Sequence, residues 1–249
     1  PVTYGNWSPT NYGDGFYGPI TLSEALAKSL NTVAAGVGQE IGEERIISLA
    51  KRFGIESQLR PYPSIALGSQ EVSLYEITRA YGPFASGGKR LDPYLISKIE
   101  DSRGNILYER PEYEPLQVYP EPLAREMTGL LNRVVEDGTG GRTKIDDWTV
   151  AGKTGTSQEW RDALFVGFTA EYIAGVWVGN DDDTPTAQVN GGGLPAEIWS
   201  AIMTEAHAGK TPKTLVGANT YVPLTNEAES KIAYYRNLAN SFRSVVTDE

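Results

Sequence analysis

The stretch VAGKTGTSQEW, residues 150–160, sets one ammonium among glycines and hydroxyls at the end of an apolar run. Two chemistries use such a set. A phosphate cradle needs Gly, four residues, then Gly-Lys-Thr, so that backbone amides wrap the phosphates. Gly152-Lys153-Thr154 supplies the second half, but the first glycine falls on Asp147, whose carboxylate would face the phosphate. Thr156 to Arg161 also fail to open an apolar-faced helix, so a P-loop nucleotide binder is the remote reading. Acyl transfer fits better. Lys153 brings charge beside a nucleophile, the Thr154 and Thr156 hydroxyls can hold a carboxylate, and Gly155 lets a peptide lie close along the strand. Taken alone, Lys-Thr-Gly fits a solvated strand end equally well.

A second group of polar side chains lies far upstream, at Ser29-Leu30-Asn31. Ser29 falls on the apolar helical face of Leu22, Leu26 and Val33, where a hydroxyl without a partner costs ~1–3 kcal/mol. Its plain structural role is a back-bond to the carbonyl four residues earlier. Asn31 would point elsewhere on a regular helix. Both side chains can serve one cleft only if the helix breaks between them, with Asn31 or Thr32 capping a second helix from Val33.

Composition removes most other nucleophilic chemistry. The chain has no cysteine and one histidine, His207, so thiol catalysis and cysteine zinc sites are excluded and a Ser-His-Asp triad is disfavoured. A net charge of −10 and a pI near 4.8 leave no basic stripe for nucleic acid. No run of ~18 apolar residues is present to span a membrane. Neither a cofactor nor a metal is expected: the carboxylates of GNDDD lack the spacing of a calcium loop and read as a hairpin end.

The elements that must position these groups follow from periodicity and punctuation. Thr21 and Glu24 form a capping box before a helix whose apolar face is Leu22, Ala25, Leu26, Leu30, Val33 and Val37. A second helix runs from about Glu43 to Phe53 and stops at Gly54; a third is capped by Ser73 and Glu76 and ends at Gly87-Gly88. DPYLISKIEDSRGNILYER reads as a hairpin turning at Asp101–Asn105. A helix from about Pro122 carries Met127, Leu130, Leu131, Val134 and Val135 inward. WTVAGKTG, ALFVGFT and YIAGVWVGN are three strands, and a last helix from about Pro195 to Ala206 turns Ile198, Trp199, Ile202 and Met203 inward. Trp177 is expected in the core with Trp199. Arg161 and Asp162 are either an ion pair at the cleft mouth or plain surface, and Trp7, Tyr12 and Tyr17 line a groove or pack a loop. The fold class is α+β, helices on an antiparallel sheet.

Taken together, NWSPTNY, GPITLSEALAKSLNTVA, SIALGSQEVSLYEITRAYGPFASGG, VVEDGTGGRT, VAGKTGTSQEWRDALFVGFT, YIAGVWVGNDD and GGGLPAEIW resemble the transpeptidase domain of class A penicillin-binding proteins, the bifunctional peptidoglycan synthases. The resemblance covers most of residues 6–205. It implies the penicillin-binding transpeptidase and serine β-lactamase-like fold, with 1–210 as the C-terminal portion of that domain and 211–249 as a peripheral tail. It also implies a cleft where Ser-x-x-Lys, Ser-x-Asn and Lys-Thr-Gly meet.

Only Ser8 and Ser23 precede Ser29, and neither has a lysine three residues on, so the nucleophile is not in this chain. Ser48-Leu49-Ala50-Lys51 lies downstream on a polar helix face, and Ser86-Gly87-Gly88-Lys89 lacks a helical turn to align its ends. By resemblance, Ser29, Asn31 and Lys153 are catalytic, while Thr154, Gly155 and Thr156 bind substrate. Ser29 relays a proton to the leaving nitrogen, poised by Lys153; Asn31 holds the donor amide and orients the catalytic lysine; the Thr156 amide gives half of an oxyanion hole. The implied partners are peptidoglycan stem peptides, β-lactams and the missing upstream segment with its glycosyltransferase domain. The implied place is outside the cytoplasm, on a membrane anchor upstream of this chain. A non-catalytic binding module of the same fold is the alternative.

Overall fold

Local chemistry starts most of the helices where the sequence signals them. The computed structural model describes residues 2–218 and the single position Ala233. Thr21 accepts from the Glu24 amide and opens α1, Leu22–Ala27. α2 spans Asn31–Ile41 and α3 Glu43–Arg52, parted by Gly42 at φ +90°. Ser73 and Glu76 form the full capping box of α4, Leu74–Ala80, and the short α5, Gly82–Ala85, follows. α6 covers Glu121–Glu136 and α7 covers Leu194–His207.

The strands form two antiparallel sheets among the described residues. β1, Lys98–Glu100, pairs with β2, Ile106–Glu109. β3, Ala151–Thr156, β4, Asp162–Phe168, and β5, Ile173–Gly179, make the larger sheet in that order. Central β4 has Ala163 and Phe165 of one parity and Val166 and Phe168 of the other all fully buried, so the sheet is covered on both faces. α6 packs along β3, α7 along β4 and β5, and α4 against β5. β3 is an edge strand of that sheet among the described residues.

Several expectations need correction. The first helix ends at Ala27, so Ser29 lies on no helix face; Leu22 is exposed, and Ser23, Ala25 and Ala27 are buried instead. A six-residue helix has too little length to keep its predicted stripe inward. Ile202 is exposed on α7, while Trp199 and Met203 fill the core. Trp177 is 41% exposed, because its indole reaches Asp162 Oδ1 at the sheet surface, 2.9 Å away. The start of the 211–249 tail is not peripheral: Leu215 and Ala218 are buried with Leu131, Ala151 and Phe168. Beyond Ala218, all of that tail except Ala233 lies outside the described residues.

Candidate active site

Ser29 sits in the turn between α1 and α2. Its amide donates to Leu26 O and the Leu30 amide to Ala25 O, which is the paired bonding of a Schellman motif. Ser29 takes the left-handed position of that motif, φ 56°, where glycine is the usual residue. A side chain there costs of order 1–3 kcal/mol of backbone strain. The hydroxyl it carries is aimed out of the turn at Lys153.

α2 begins directly at Asn31, with neither Asn31 nor Thr32 as its cap. Asn11, from the N-terminal loop, caps it instead: its Oδ1 accepts from the Thr32 amide at 3.0 Å and hydroxyl at 3.2 Å. Asn31 donates its side-chain amide to Thr10 O, 2.8 Å away. Asn31 thus ties the N-terminal loop to the turn, and its amide is directed at a backbone carbonyl rather than at Lys153.

Lys153 lies on β3, 124 residues from Ser29, and its Nζ donates to Ser29 Oγ at 2.7 Å and to Thr154 O at 3.2 Å. Among the described residues no carboxylate pairs with it. Burial without a counter-charge lowers its pKa from 10.5 to about 8. An ammonium donating to Ser29 leaves the serine hydrogen free to move to another acceptor.

The other walls are built from glycine-dense loops. Residues 138–140 follow α6 and bring the Thr139 amide to Ala27 O at 3.1 Å. A Cβ on Gly138 would overlap that same carbonyl. Thr139 Oγ1 and Thr154 Oγ1 are 2.7 Å apart. On the far side, the Gly191 amide donates to Thr156 Oγ1 at 3.0 Å. Gly155 faces the Leu164 side chain on β4, and a Cβ on Gly191 would overlap the Gly155 and Leu164 carbonyls. Glycine at 155 therefore serves sheet packing as well as any close peptide approach. Thr139, Asn11 and Gly191 carried no individual signal in the sequence; the glycine clusters GTGG and GGG marked the loops of Thr139 and Gly191, and NWSPTNY marked the segment of Asn11.

The remaining candidates lie elsewhere. His207 is buried in the core, 2.9 Å from Thr169 Oγ1 and 2.6 Å from Met203 O. Ser48 is exposed on α3, and Ser86 bonds the Gly82 and Lys89 carbonyls. Arg161 pairs with Glu159 and Asp183, not with Asp162. Asp182 is engaged by the amide and hydroxyl of Thr184. Trp7 bridges Tyr4 through backbone bonds, Tyr12 is exposed, and Lys28 sits over the Tyr17 ring at 4.9 Å. Two surface hollows of about 210 and 720 Å³ lie by Trp148–His207 and by Tyr94–Tyr108, away from Lys153.

The sequence model of the penicillin binding protein transpeptidase domain matches residues 1–204. The chain is 40% identical to penicillin-binding protein 1A of Aquifex aeolicus over 196 residues, which is 78% of this chain and 27% of that protein. It is 34% identical to penicillin-binding protein 2D of Bacillus subtilis over 227 residues, 85% of this chain and 32% of that protein. The chain thus spans less than a third of either relative. The fold is similar to that of PonA1 from Mycobacterium tuberculosis in complex with penicillin V, with 26% identity and a TM-score of 0.81, covering 90% of this chain and 68% of that one.

Proposed function

The chain belongs to the penicillin-binding protein transpeptidase family, and we propose that it forms most of the cleft of a peptidoglycan D,D-transpeptidase. The observation that carries this reading is the 2.7 Å bond between Lys153 Nζ and Ser29 Oγ across 124 residues of sequence. Lysine and serine held together in an edge-strand cleft, with no histidine near, suit proton transfer during acyl transfer.

The serine of a Ser-x-x-Lys segment upstream of residue 1 attacks the carbonyl of the D-Ala-D-Ala bond and gives its proton to the lysine of that segment. The C–N bond breaks, the serine keeps the acyl group, and the departing D-Ala nitrogen takes a proton. Ser29 Oγ hands over that proton, and the Lys153 ammonium donating to Ser29 replaces it. An amine of a neighbouring stem peptide then takes the acyl group and returns a proton to the Ser29–Lys153 pair, while the freed serine recovers its hydrogen from the lysine of its own segment. Asn31, the first residue of α2 and two beyond Ser29, has its Nδ2 engaged by Thr10 O, so its Oδ1 is the atom that accepts from the donor's amide.

Thr154 and Thr156 lie two apart on β3, so their side chains share a face and bind the terminal carboxylate, with Lys153 adding charge. The Thr156 amide is on the same strand edge as the Thr154 carbonyl, the open edge that Lys153 Nζ reaches. It serves as one oxyanion donor, a contribution of ~2.7–4 kcal/mol. β-Lactams react as donor mimics and remain as a slowly cleared acyl-enzyme. Residues 1–210 form this transpeptidase portion and 211–249 its tail. The whole polypeptide acts outside the cytoplasm on an upstream membrane anchor; among the described residues no helix is long and apolar enough to cross a membrane.

A fluorescent penicillin tests the reading. The 249-residue chain alone takes no label, and the polypeptide extended by the sequence that precedes it takes label upstream of residue 1. An adduct mapped to Ser29 or Ser48 contradicts these roles. A complete polypeptide that never labels supports a non-catalytic binding module instead.

A further inference from the structure

Thr154 makes one side-chain hydrogen bond among the described residues, to Thr139 Oγ1 at 2.7 Å. The two hydroxyls form a pair with either order of donation, and the order decides what the cleft can bind. If Thr154 donates to Thr139, the Thr154 oxygen faces the cleft as an acceptor only. If Thr139 donates to Thr154, the Thr154 hydrogen is free to point outward. A carboxylate only accepts hydrogen bonds, so it is compatible with the second order alone. Donation from Thr139 also polarises the Thr154 hydroxyl and strengthens its outward bond.

Thr139 is fixed in place independently of Thr154. Its amide is held by Ala27 O at the end of α1, and the next amide, Gly140, donates to Val134 O at 2.8 Å. Gly138 leaves no room for a side chain against Ala27, and Gly192 leaves none against the Thr139 carbonyl. One residue is thus clamped between the turn that carries Ser29, the end of α6 and the loop before α7. Its hydroxyl is exposed toward the strand that carries Lys153. Thr156 is served differently: its oxygen already accepts from the Gly191 amide, which leaves its own hydrogen to donate. With Thr139 as the donor of its pair, Thr154 would match Thr156 in having an anchored oxygen and one outward hydrogen, one for each oxygen of a carboxylate.

We propose that Thr139 is a positioning residue that orients the Thr154 hydroxyl toward the substrate's terminal carboxylate and so sets the preference for carboxylate-bearing ligands. The proposal rests on the transpeptidase reading above. It is tested in the complete polypeptide by the second-order rate of acylation with benzylpenicillin and with its uncharged methyl ester, in Thr139→Val, Thr139→Ser and Thr154→Val. Thr139→Val is expected to slow acylation by the acid about three- to tenfold, the loss that one hydrogen bond gives. It should leave the ester rate within about twofold, and Thr139→Ser should restore the acid rate, since the hydroxyl returns without the methyl.

A Thr139→Val protein that slows acid and ester alike would reveal a merely structural role and overturn the proposal, as would an unrescued Thr139→Ser. If Thr154→Val slows the acid but Thr139→Val does not, the proposal fails while the carboxylate site stands. If Thr154→Val leaves the acid rate unchanged, the carboxylate site itself fails, and the role of Thr139 with it.

Discussion

The hydrogen bonds that close the β1–β2 turn join Asp101 to Arg103, Gly104 and Asn105, at most four positions along the chain. The contact that defines the cleft joins residues 124 apart, through a serine forced into a glycine conformation. Glycines differ in the same way. Gly104 in the hairpin has nothing near its missing Cβ and is used for its φ of +82°, whereas Gly138, Gly191 and Gly192 have backbone carbonyls where a Cβ would be. The hairpin is a local device with exposed side chains on both strands. The cleft is a junction of distant segments brought within bonding distance. Local devices tolerate change, and junctions do not.

The largest expected effect is at the junction. Lys153→Ala in the complete polypeptide should lower the rate of penicillin acylation by about a hundredfold or more, the range for losing a positioned proton-transfer group. Unchanged acylation would remove that lysine from the chemistry. Its titration sharpens the same point. Lys153 acts as the ammonium, so the rate should fall as pH rises through about 8, and this alkaline fall should vanish in Lys153→Ala. The folded value is depressed from 10.5, so the fold disfavours the charged form. Stability should therefore rise with pH between about 8 and 10.5, where the unfolded chain binds the extra proton.

Next comes the packing of the junction. Gly138→Ala places a Cβ against the Ala27 carbonyl, which is backbone and cannot swing away. It should cost about 1–3 kcal/mol in denaturant unfolding, as overpacking does. An alanine accepted without loss would mean that the α1–α6 junction can make room for a methyl group.

Glu76 stands between the two extremes and tests whether reach matters in itself. Its carboxylate bonds Ser73, three positions away, and also the Glu56 and Ser57 amides and the Ser57 hydroxyl, 19–20 positions away. These bonds hold its pKa down from 4.5 to about 2, the Ser73 amide contributing most. Their stabilisation is complete above pH 4.5 and is lost as pH falls toward about 2. Glu76→Gln should cost about 0.5–2 kcal/mol, the range for a lost helix cap, and should flatten that acid slope. A slope unchanged in the glutamine variant would assign the acid sensitivity to other carboxylates.

The smallest effect belongs to the hairpin. Leu107→Ser, at a side chain 67% exposed, should change stability by less than about 0.5 kcal/mol. A larger loss in thermal unfolding would show that the hairpin carries more of the fold than its exposure suggests.

The same contrast explains what could be read from the sequence. The Ser73–Glu76 box, the Asp101–Asn105 turn, the α6 face and the three strands all advertise themselves through neighbours within one turn or one pleat. Helices before and after adjacent strands were enough for the α+β class. Ser29 was legible as a hydroxyl on an apolar helical face that could share a cleft with Asn31 only if the helix broke, but its left-handed turn was not, because only the 25-to-30 backbone bonding reveals it. The cap of α2 came from Asn11, twenty-one residues upstream of Thr32, where no local pattern could point. Trp177 looked like core because tryptophan usually is, and one indole bond to Asp162 at the surface overrode that. Thr139 was hidden among glycines whose crowding becomes visible only once the other walls are in place.

The central claim is that Lys153 acts through Ser29, and a double-mutant cycle on acylation in the complete polypeptide measures it directly. Ser29→Ala, Lys153→Ala and the pair are compared by the second-order rate with benzylpenicillin. Coupled action predicts that the double variant is no slower than the slower single one. Two losses that multiply would mean the residues act independently, and the shared proton path would be wrong.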